Sequence, residues 1–193
     1  MDEKNNDHGI CLFLLAACGM DTIKDNEGTQ PVAVDNTVNE PATNGTSGDV
    51  ANPAVSMREA AEAFLKAYPD AKIESIDLDA DFGRLRYEIE AFDSAKDYEV
   101  EIDATTKVLN VKEVEANRDR EEALDLSSVI EPKEAIEKAS AQNEAKGFSP
   151  KGWTLEAELG KPVYTIEYKK GLKELEIKVD ATTGEILEAD MDD

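Results

Sequence analysis

Acidic side chains recur at alternate positions in the middle of the chain. Asp77, Asp79 and Asp81, with Glu88 at the twelfth position of the same stretch, approximate the oxygen-ligand spacing of a calcium-binding loop. The glycine, however, stands at the seventh position of that stretch instead of the sixth. The alternation also fits a β-hairpin whose acids lie on a solvent face, and we favour this interpretation. Calcium binding by these four residues is the alternative, and we expect no other metal or cofactor.

Histidine and cysteine, the residues that most often serve as a neutral base or a thiol nucleophile, are scarce. The chain has one histidine, His8, and two cysteines, Cys11 and Cys18, all close to the N terminus. Ser-His, Cys-His and histidine-zinc sites need such residues within the folded domain. We therefore expect no enzyme activity. Lys or carboxylates could still act as bases, so the composition leaves open a carboxylate pair of the glycosidase type.

A short apolar run ends in Leu15-Ala16-Ala17-Cys18. It resembles the bacterial lipobox, which implies a signal peptide over residues 1–17 and lipid attachment at Cys18. The protein would then be extracytoplasmic and anchored to the cell membrane through that lipid. Residues 2–9 carry three acids against one lysine, whereas signal peptides begin with positive charge. A longer basic region upstream, or a buried apolar segment that is not a signal, therefore stays open.

The formal net charge of the chain is −23. Nucleic acid is a poor partner for such a surface, because phosphate binding depends on clustered Lys and Arg. The stretch from Gly19 to Pro53 is rich in Asp, Asn, Thr, Gly, Pro and Val and has no aromatic residue or periodic apolar face. Residues 18–54 are therefore predicted to form a disordered, lipidated tether.

After the tether the chain repeats itself. The tetrapeptide Asp103–Thr106 recurs unchanged as Asp180–Thr183, and Tyr87–Glu90 has its counterpart in Tyr164–Glu167. Both offsets are 77 residues, as the numbering shows. The repeat indicates two tandem copies of one module.

Each copy is predicted to open with a helix and to continue as strands. The first helix has an apolar stripe from Met57 and a capping box formed by Ser56 and Glu59. The second is predicted to begin at Pro132 and to stop near Gly147. Period-two alternation follows in both copies. The prediction is an α+β fold of two modules, each with one helix packed on a four-stranded antiparallel sheet, at 55–115 and 129–191 with a connector at 116–128.

The second copy contains Pro162–Glu167 and then Ile177–Leu187, which reads Ile-Lys-Val-Asp-Ala-Thr-Thr-Gly-Glu-Ile-Leu. Together with the first copy, where Lys107 stands at the glycine position, this pattern resembles the PepSY domain. The resemblance implies a module related to the propeptides of thermolysin-like metalloproteases. Such modules are thought to bind or restrain peptidases, and the family lends no catalytic residue.

The function that we expect is non-catalytic binding and regulation of a peptidase or cell-wall hydrolase. An exposed strand edge would allow binding by β-addition, and nothing in the sequence identifies which edge. The alternative is a structural or cation- or ligand-binding envelope lipoprotein with no peptidase partner. The sequence makes no prediction of oligomeric state.

Overall fold

Two helices and eight strands make up the fold in the computed structural model, which describes residues 48–81, 83–116 and 122–192. The first half contains α1 (Met57–Ala67), β1 (Lys72–Asp81), β2 (Arg84–Phe92), β3 (Lys96–Asp103) and β4 (Leu109–Ala116). The second half contains α2 (Pro132–Ser140), β5 (Ser149–Glu158), β6 (Lys161–Lys170), β7 (Lys173–Asp180) and β8 (Ile186–Asp192). The α+β class is confirmed.

All eight strands belong to one antiparallel sheet, in the order β4-β3-β2-β1-β5-β6-β7-β8. The prediction of a separate four-stranded sheet for each module is therefore not confirmed. The two halves meet where β1 pairs with β5, over the register Ile76–Leu155 to Asp79–Gly152. The pairing gives the backbone groups of both first strands a partner that neither would have at the edge of an isolated sheet.

The β1–β5 seam has internal two-fold character. Thr154 lies 77 residues after Asp77, and these two residues pair with each other in the register. The flanking pairs, Ile76–Leu155 and Leu78–Trp153, exchange places under the same offset. The halves therefore associate as the subunits of a symmetric dimer would, with Asp77 and Thr154 on the axis.

Both helix starts agree with their sequence signals. The Ser56 hydroxyl accepts a hydrogen bond from the Glu59 amide, and the Glu59 carboxylate accepts one from the Ser56 amide at 3.0 Å, which confirms the capping box. Pro132 occupies the first turn of α2, as predicted. The predicted end of α2 near Gly147 is wrong, because the helix ends at Ser140. Beyond it, bonds from the amides of Gln142 and Lys146 to carbonyls three residues earlier form turns.

One continuous core lies between the helices and the sheet and includes residues of both halves. Its largest fully buried side chains are Tyr87, Tyr164, Tyr168, Phe64, Met57, Ile76, Leu78, Ile89, Ile102, Leu155, Ile166 and Leu175. Side chains at intervening strand positions, largely charged, face away from the helices. This alternation is the one that the period-two pattern predicts.

The end of the predicted tether belongs to the fold. Val50 is 1% exposed, and its carbonyl accepts a hydrogen bond from the indole Nε1 of Trp153 at 3.3 Å. The amide of Val55 bonds to the carbonyl of Ala104 at 2.8 Å. The prediction of a disordered linker as far as residue 54 is therefore wrong for residues 48–54. The polar composition of the segment around it gave no sign that Val50 would be buried in the core.

The connector between the halves is packed where the structure describes it, from residue 122 onward. The Leu124 amide donates to the Ile73 carbonyl at 2.8 Å. The Arg58 guanidinium donates to the carbonyls of Leu126 and Val129, at 2.8 and 3.1 Å, and also pairs with Glu131. The Ile130 amide then donates to the Ala181 carbonyl at 2.8 Å, so this irregular segment is bonded to both halves.

Candidate functional site

The acids that suggested a calcium loop lie on two paired strands. Asp77 is directly opposite Glu88, and Asp79 is opposite Arg86, in the register of β1 and β2. Asp81 is the last residue of β1, and its side chain lies outside the described part of the chain. The structure thus brings Asp77 and Glu88 together on a strand pair, in place of a loop between two helices. Calcium binding at these positions stays the untested alternative to the favoured hairpin interpretation.

No three acidic, histidine or cysteine side chains close on a common point suited to a metal ion within 48–81, 83–116 and 122–192. The acids nevertheless share one open groove of about 500 Å³ on the sheet face opposite the helices. Its charged lining is Glu74, Asp77, Asp79, Glu88, Glu90, Glu122 and Glu156, and among the described residues no Lys or Arg lines it. The groove favours cations over anions.

Asp77 occupies the centre of this face, on the axis between the halves. Its Oδ1 accepts a hydrogen bond from the Thr154 hydroxyl. Burial raises the pKa of Asp77 to about 6, and the negative charges of Glu90, Asp79 and Glu88 act in the same direction. The Thr154 hydroxyl opposes this rise, because it stabilises the ionised carboxylate. The 77-residue offset would have identified Thr154 as the partner, had the two-fold pairing been foreseen.

The helix-facing side of the seam carries a cluster of aromatic rings. Trp153 packs edge-on against Tyr87 and Tyr164, with ring centroids 6.1 and 5.7 Å away. The Tyr87 hydroxyl donates to the Val55 carbonyl just before α1, and the Tyr164 hydroxyl donates to the Ile130 carbonyl just before α2, both at 2.8 Å. Burial raises the pKa of both tyrosines. They therefore stay neutral donors that hold the chain where each helix begins, which is a structural role.

A groove of about 390 Å³ lies above these rings, between the first turns of α1 and α2 and beside the Asp49–Pro53 segment. Its lining combines Trp153, Tyr87, Met57 and Pro132 with Glu131 and Lys133. The aromatic floor is almost fully buried, so little apolar surface is open to a ligand.

Two strands, β4 and β8, end the sheet and have a partner strand on one side only, as far as the described residues show. Several of their apolar side chains are exposed, namely Val111 and Val114 on β4 and Leu187 and Met191 on β8. A free edge of this kind presents backbone donors and acceptors to an added strand.

The predicted lipid attachment site, Cys18, lies outside the described residues, as do the predicted signal peptide at 1–17 and most of the predicted tether. Lipid attachment stays a prediction. In the described part of the chain, neither helix combines the length and apolarity needed to cross a bilayer.

These features define a class: a tandem-repeat α+β protein whose two halves share one sheet and whose aromatic residues serve the fold. The family model of the peptidase propeptide and YPEB domain, PepSY, matches residues 54–112 and 129–190. The chain belongs to the PepSY family, and the resemblance stated above is confirmed. PepSY is a domain of the propeptide and inhibitor type and is not a catalytic family.

Among solved structures, the chain is similar to a protein from Clostridium difficile 630 that is described as a candidate lipoprotein. The two share 27% identity over 75% of this chain and 99% of that chain, with a TM-score of 0.64. A DUF2874 family protein from Bacteroides uniformis ATCC 8492 matches at 16% identity over 68% of this chain and 86% of that chain. Its TM-score is 0.29. No curated protein matches the chain.

Proposed function

We propose that this protein is an extracytoplasmic, lipid-anchored lipoprotein that binds a peptidase or cell-wall hydrolase and restrains it. The observation that carries the proposal is the PepSY match in both halves of the chain, because PepSY domains are commonly linked to peptidase propeptides or to regulation. Binding requires no catalytic residue on this chain.

The anchoring part of the proposal rests on two observations. The sequence ends an apolar run in Leu-Ala-Ala-Cys at Cys18, and the Clostridium protein of similar fold is described as a candidate lipoprotein. We expect the wild-type chain in the source cell to incorporate a labelled fatty acid and to sediment with membranes. Cys18→Ala would abolish the label and release the protein. Membrane retention of the unlabelled variant would contradict lipid anchoring at this residue.

The binding part is tested by affinity capture with the full chain from a detergent extract of the cell envelope. Val50 packs into the core, so a bait that began at residue 53 would lack part of the fold. An unrelated protein of similar size and negative charge is the control for adsorption by charge. We expect a peptidase or hydrolase to be enriched on this chain alone. Purified, it should then be inhibited in a dose-dependent manner.

A captured hydrolase whose activity does not change at saturating concentrations would contradict restraint. Recovery of no hydrolase above the control would contradict the binding proposal and favour the alternative, an envelope lipoprotein that binds cations or another ligand.

The groove whose described lining includes seven carboxylates is the observation that favours this alternative. Its expected sign is a rise in melting temperature with millimolar Ca²⁺ in the absence of any protein partner, because a ligand that binds only the folded state stabilises it. The rise should be lost in Asp77→Asn/Glu88→Gln.

A further inference from the structure

The two free edges of the sheet occupy equivalent places in the two halves, yet their charges are balanced differently. On β4, Glu113 lies opposite Glu99 of β3. On β8, Asp190 lies opposite Glu176 of β7, at the positions 77 residues further on. Each half therefore places two carboxylates in direct cross-strand register, an arrangement that is unfavourable when nothing neutralises it.

In the first half a lysine neutralises the pair. Lys112 Nζ lies 3.0 Å from the Glu99 carboxylate and 2.5 Å from that of Glu88. The equivalent position in the second half is Ala189. The nearby Lys178 is instead bonded to Glu158 at 2.6 Å, and no ion pair within the described residues reaches Glu176 or Asp190. The edge at β8 thus keeps Glu176 and Asp190 as an unneutralised acid pair. Glu188, at the next position on that face, lies opposite Lys178, whose charge it shares with Glu158.

The backbone of the two edges also differs. The register of β4 is interrupted at its middle, between the pairs Glu99–Glu113 and Val100–Val111. A bulge and a lysine at a strand edge both hinder the addition of another strand. The register of β8 shifts only near its start and is then regular over five residues, from Glu188 to Asp192.

The opposite face of β8 is apolar and uncovered. Helix α2 packs on β6 and β7, and β8 lies beyond it. Met191 is 41% exposed, and Leu187, at the register shift, is 51% exposed. An added strand would find carboxylates along one face and apolar side chains along the other.

We propose that the β8 edge binds an extended segment of a partner protein that adds to the sheet as a ninth strand and carries Lys or Arg at alternate positions. The bases lie beside Glu188 and Asp190, and the intervening apolar side chains lie beside Ala189 and Met191. A second copy of this chain is a poor occupant, because its β8 would bring carboxylates against carboxylates. The acidic edge excludes strands that lack matching bases. This inference rests on the proposed function, of which it names the binding surface and the class of segment recognised.

The probe is an eight-residue peptide, blocked at both ends, in which valine and lysine alternate. Titration into the full chain, followed by backbone amide NMR, should perturb β8 and β7 and leave β4 unchanged. Three control peptides separate strand addition from charge attraction. One has the same composition with valines and lysines in separate blocks, and the other pair carries N-methyl groups on one or the other alternate set of amides.

We expect the peptide with valines and lysines in separate blocks to bind at least about tenfold more weakly than the alternating peptide, because half of its side chains would lie against the wrong face of the sheet. One N-methylated peptide should lose binding and its counterpart should keep it, since only one alternate set of amides faces the edge. Equal binding by all of these peptides would overturn the proposal in favour of attraction by net charge.

Charge reversal identifies the edge. Glu188→Lys/Asp190→Lys should weaken the alternating peptide about tenfold, whereas the matched change on β4, Glu113→Lys/Glu115→Lys, should alter affinity less than about twofold. Unchanged circular dichroism melts show that both variants are folded. The reverse result, with loss on changing β4 only, would overturn the assignment to β8.

The same variants separate this inference from the proposed function. A captured hydrolase that is inhibited equally by wild-type and Glu188→Lys/Asp190→Lys protein would leave the function standing and overturn the β8 edge as its site. Specific peptide binding at β8 without inhibition of any captured hydrolase would support the edge and contradict the proposed function.

Discussion

The two halves of this protein have the same architecture but use different local chemistry. In both, a buried tyrosine donates its hydroxyl proton to a carbonyl just before the helix, from Tyr87 to Val55 and from Tyr164 to Ile130. The helix starts differ, since Ser56 caps α1 with its side chain whereas the residue before α2, Glu131, makes no such bond. The tyrosine bonds that join the start of each helix to the sheet are thus the same in both halves. The side-chain cap of α1, however, is replaced at α2 by Pro132 in the first turn and by an ion pair between Glu131 and Arg58.

The turns after β3 and β7 give a second comparison. Asp103 and Asp180 each accept hydrogen bonds from the amides of the two threonines of their repeat. Position 107 is lysine and position 184 is glycine, yet both adopt left-handed backbone, with φ of 58° and 73°. The amides of both residues also bond to the carbonyl of the aspartate four positions earlier, so the two turns have the same backbone geometry. The bond from Lys107 Nζ to the Glu59 carboxylate at 2.6 Å accompanies the strained conformation.

The two halves are stabilised together, by the seam and the shared core, rather than each by its own contacts. One continuous core and one sheet include both halves. We therefore expect the whole described fold to unfold in a single cooperative transition, and substitutions at the seam to destabilise both halves together.

Trp153→Ala should have the largest effect. The indole packs on tyrosines from both halves and bonds to Val50, so its removal leaves a cavity at the seam and should cost about 4 kcal/mol of unfolding free energy. Ile76→Ala, at the equivalent position in the first half, should cost about 3 kcal/mol. Urea unfolding monitored by circular dichroism measures both values. Two separate transitions in either variant would show that the halves are independent and contradict the shared core.

Gly152→Ala should cost about 2 kcal/mol. A Cβ at this position would lie 2.2 Å from the Asp79 carboxylate Oδ1 and 3.1 Å from the Leu78 carbonyl oxygen, so the seam must move to admit it. Ser75→Ala at the equivalent position is the control and should cost about 1 kcal/mol or less. In an Asp79→Ala background the cost of Gly152→Ala should fall to about half. An undiminished cost would show that the backbone contact alone is responsible.

Asp77→Asn should stabilise the protein at neutral pH and have no effect in acid. The folded-state pKa of Asp77 is about 6, above its ordinary value of 3.8, so between these values the folded chain holds a proton that the unfolded chain has lost. The contribution of Asp77 to the free energy of unfolding therefore falls as pH rises from 3.8 to about 6. Asparagine avoids that loss because it carries no charge at any pH. Thermal melts should show a gain of about 3 °C at pH 7.5 and none near pH 4.

A comparison with Glu59→Gln checks the sign of the pH effect. Hydrogen bonds from Lys107 and Ser56 lower the pKa of Glu59 to about 2, so this carboxylate stabilises the protein above the unfolded-state value of 4.5. The Glu59→Gln variant should be less stable than wild type at pH 7.5 and approach it as pH falls toward 2. Parallel pH profiles for the two variants would contradict the assignment to individual carboxyl groups.

Substitutions at the left-handed turn positions, Gly184 and Lys107, should change the free energy of unfolding least. Gly184→Ala should cost about 1 kcal/mol, because alanine is strained at positive φ, whereas the Lys138 side chain beside it can move away. Lys107→Gly relieves such strain but loses the ion pair to Glu59, so its net effect should lie within about 0.5 kcal/mol of zero. The urea midpoints of the two variants, compared with wild type at an unchanged denaturant slope m, measure both effects. A loss above about 1 kcal/mol for Lys107→Gly would show that the ion pair dominates.

Local features of this protein could be predicted from its sequence. The Ser56–Glu59 cap, the Pro132 helix start and the alternating strands depend on residues close together in the chain. The candidate site was predictable only in part. Asp77 and Glu88 were identified, but Thr154, which completes the environment of Asp77, is 77 residues away and has no signal of its own.

By itself, the sequence determined the repeat, the α+β class, the helix starts and the alternation of buried and exposed strand residues, because these depend on side-chain periodicity and local hydrogen bonds. The tertiary structure was needed to show that β1 and β5 join two modules into one sheet, that Val50 enters the core, and that no ion pair among the described residues reaches Glu176 or Asp190 at the β8 edge. Each of these depends on which distant segments meet, and a free strand edge carries no sequence mark that names its partner.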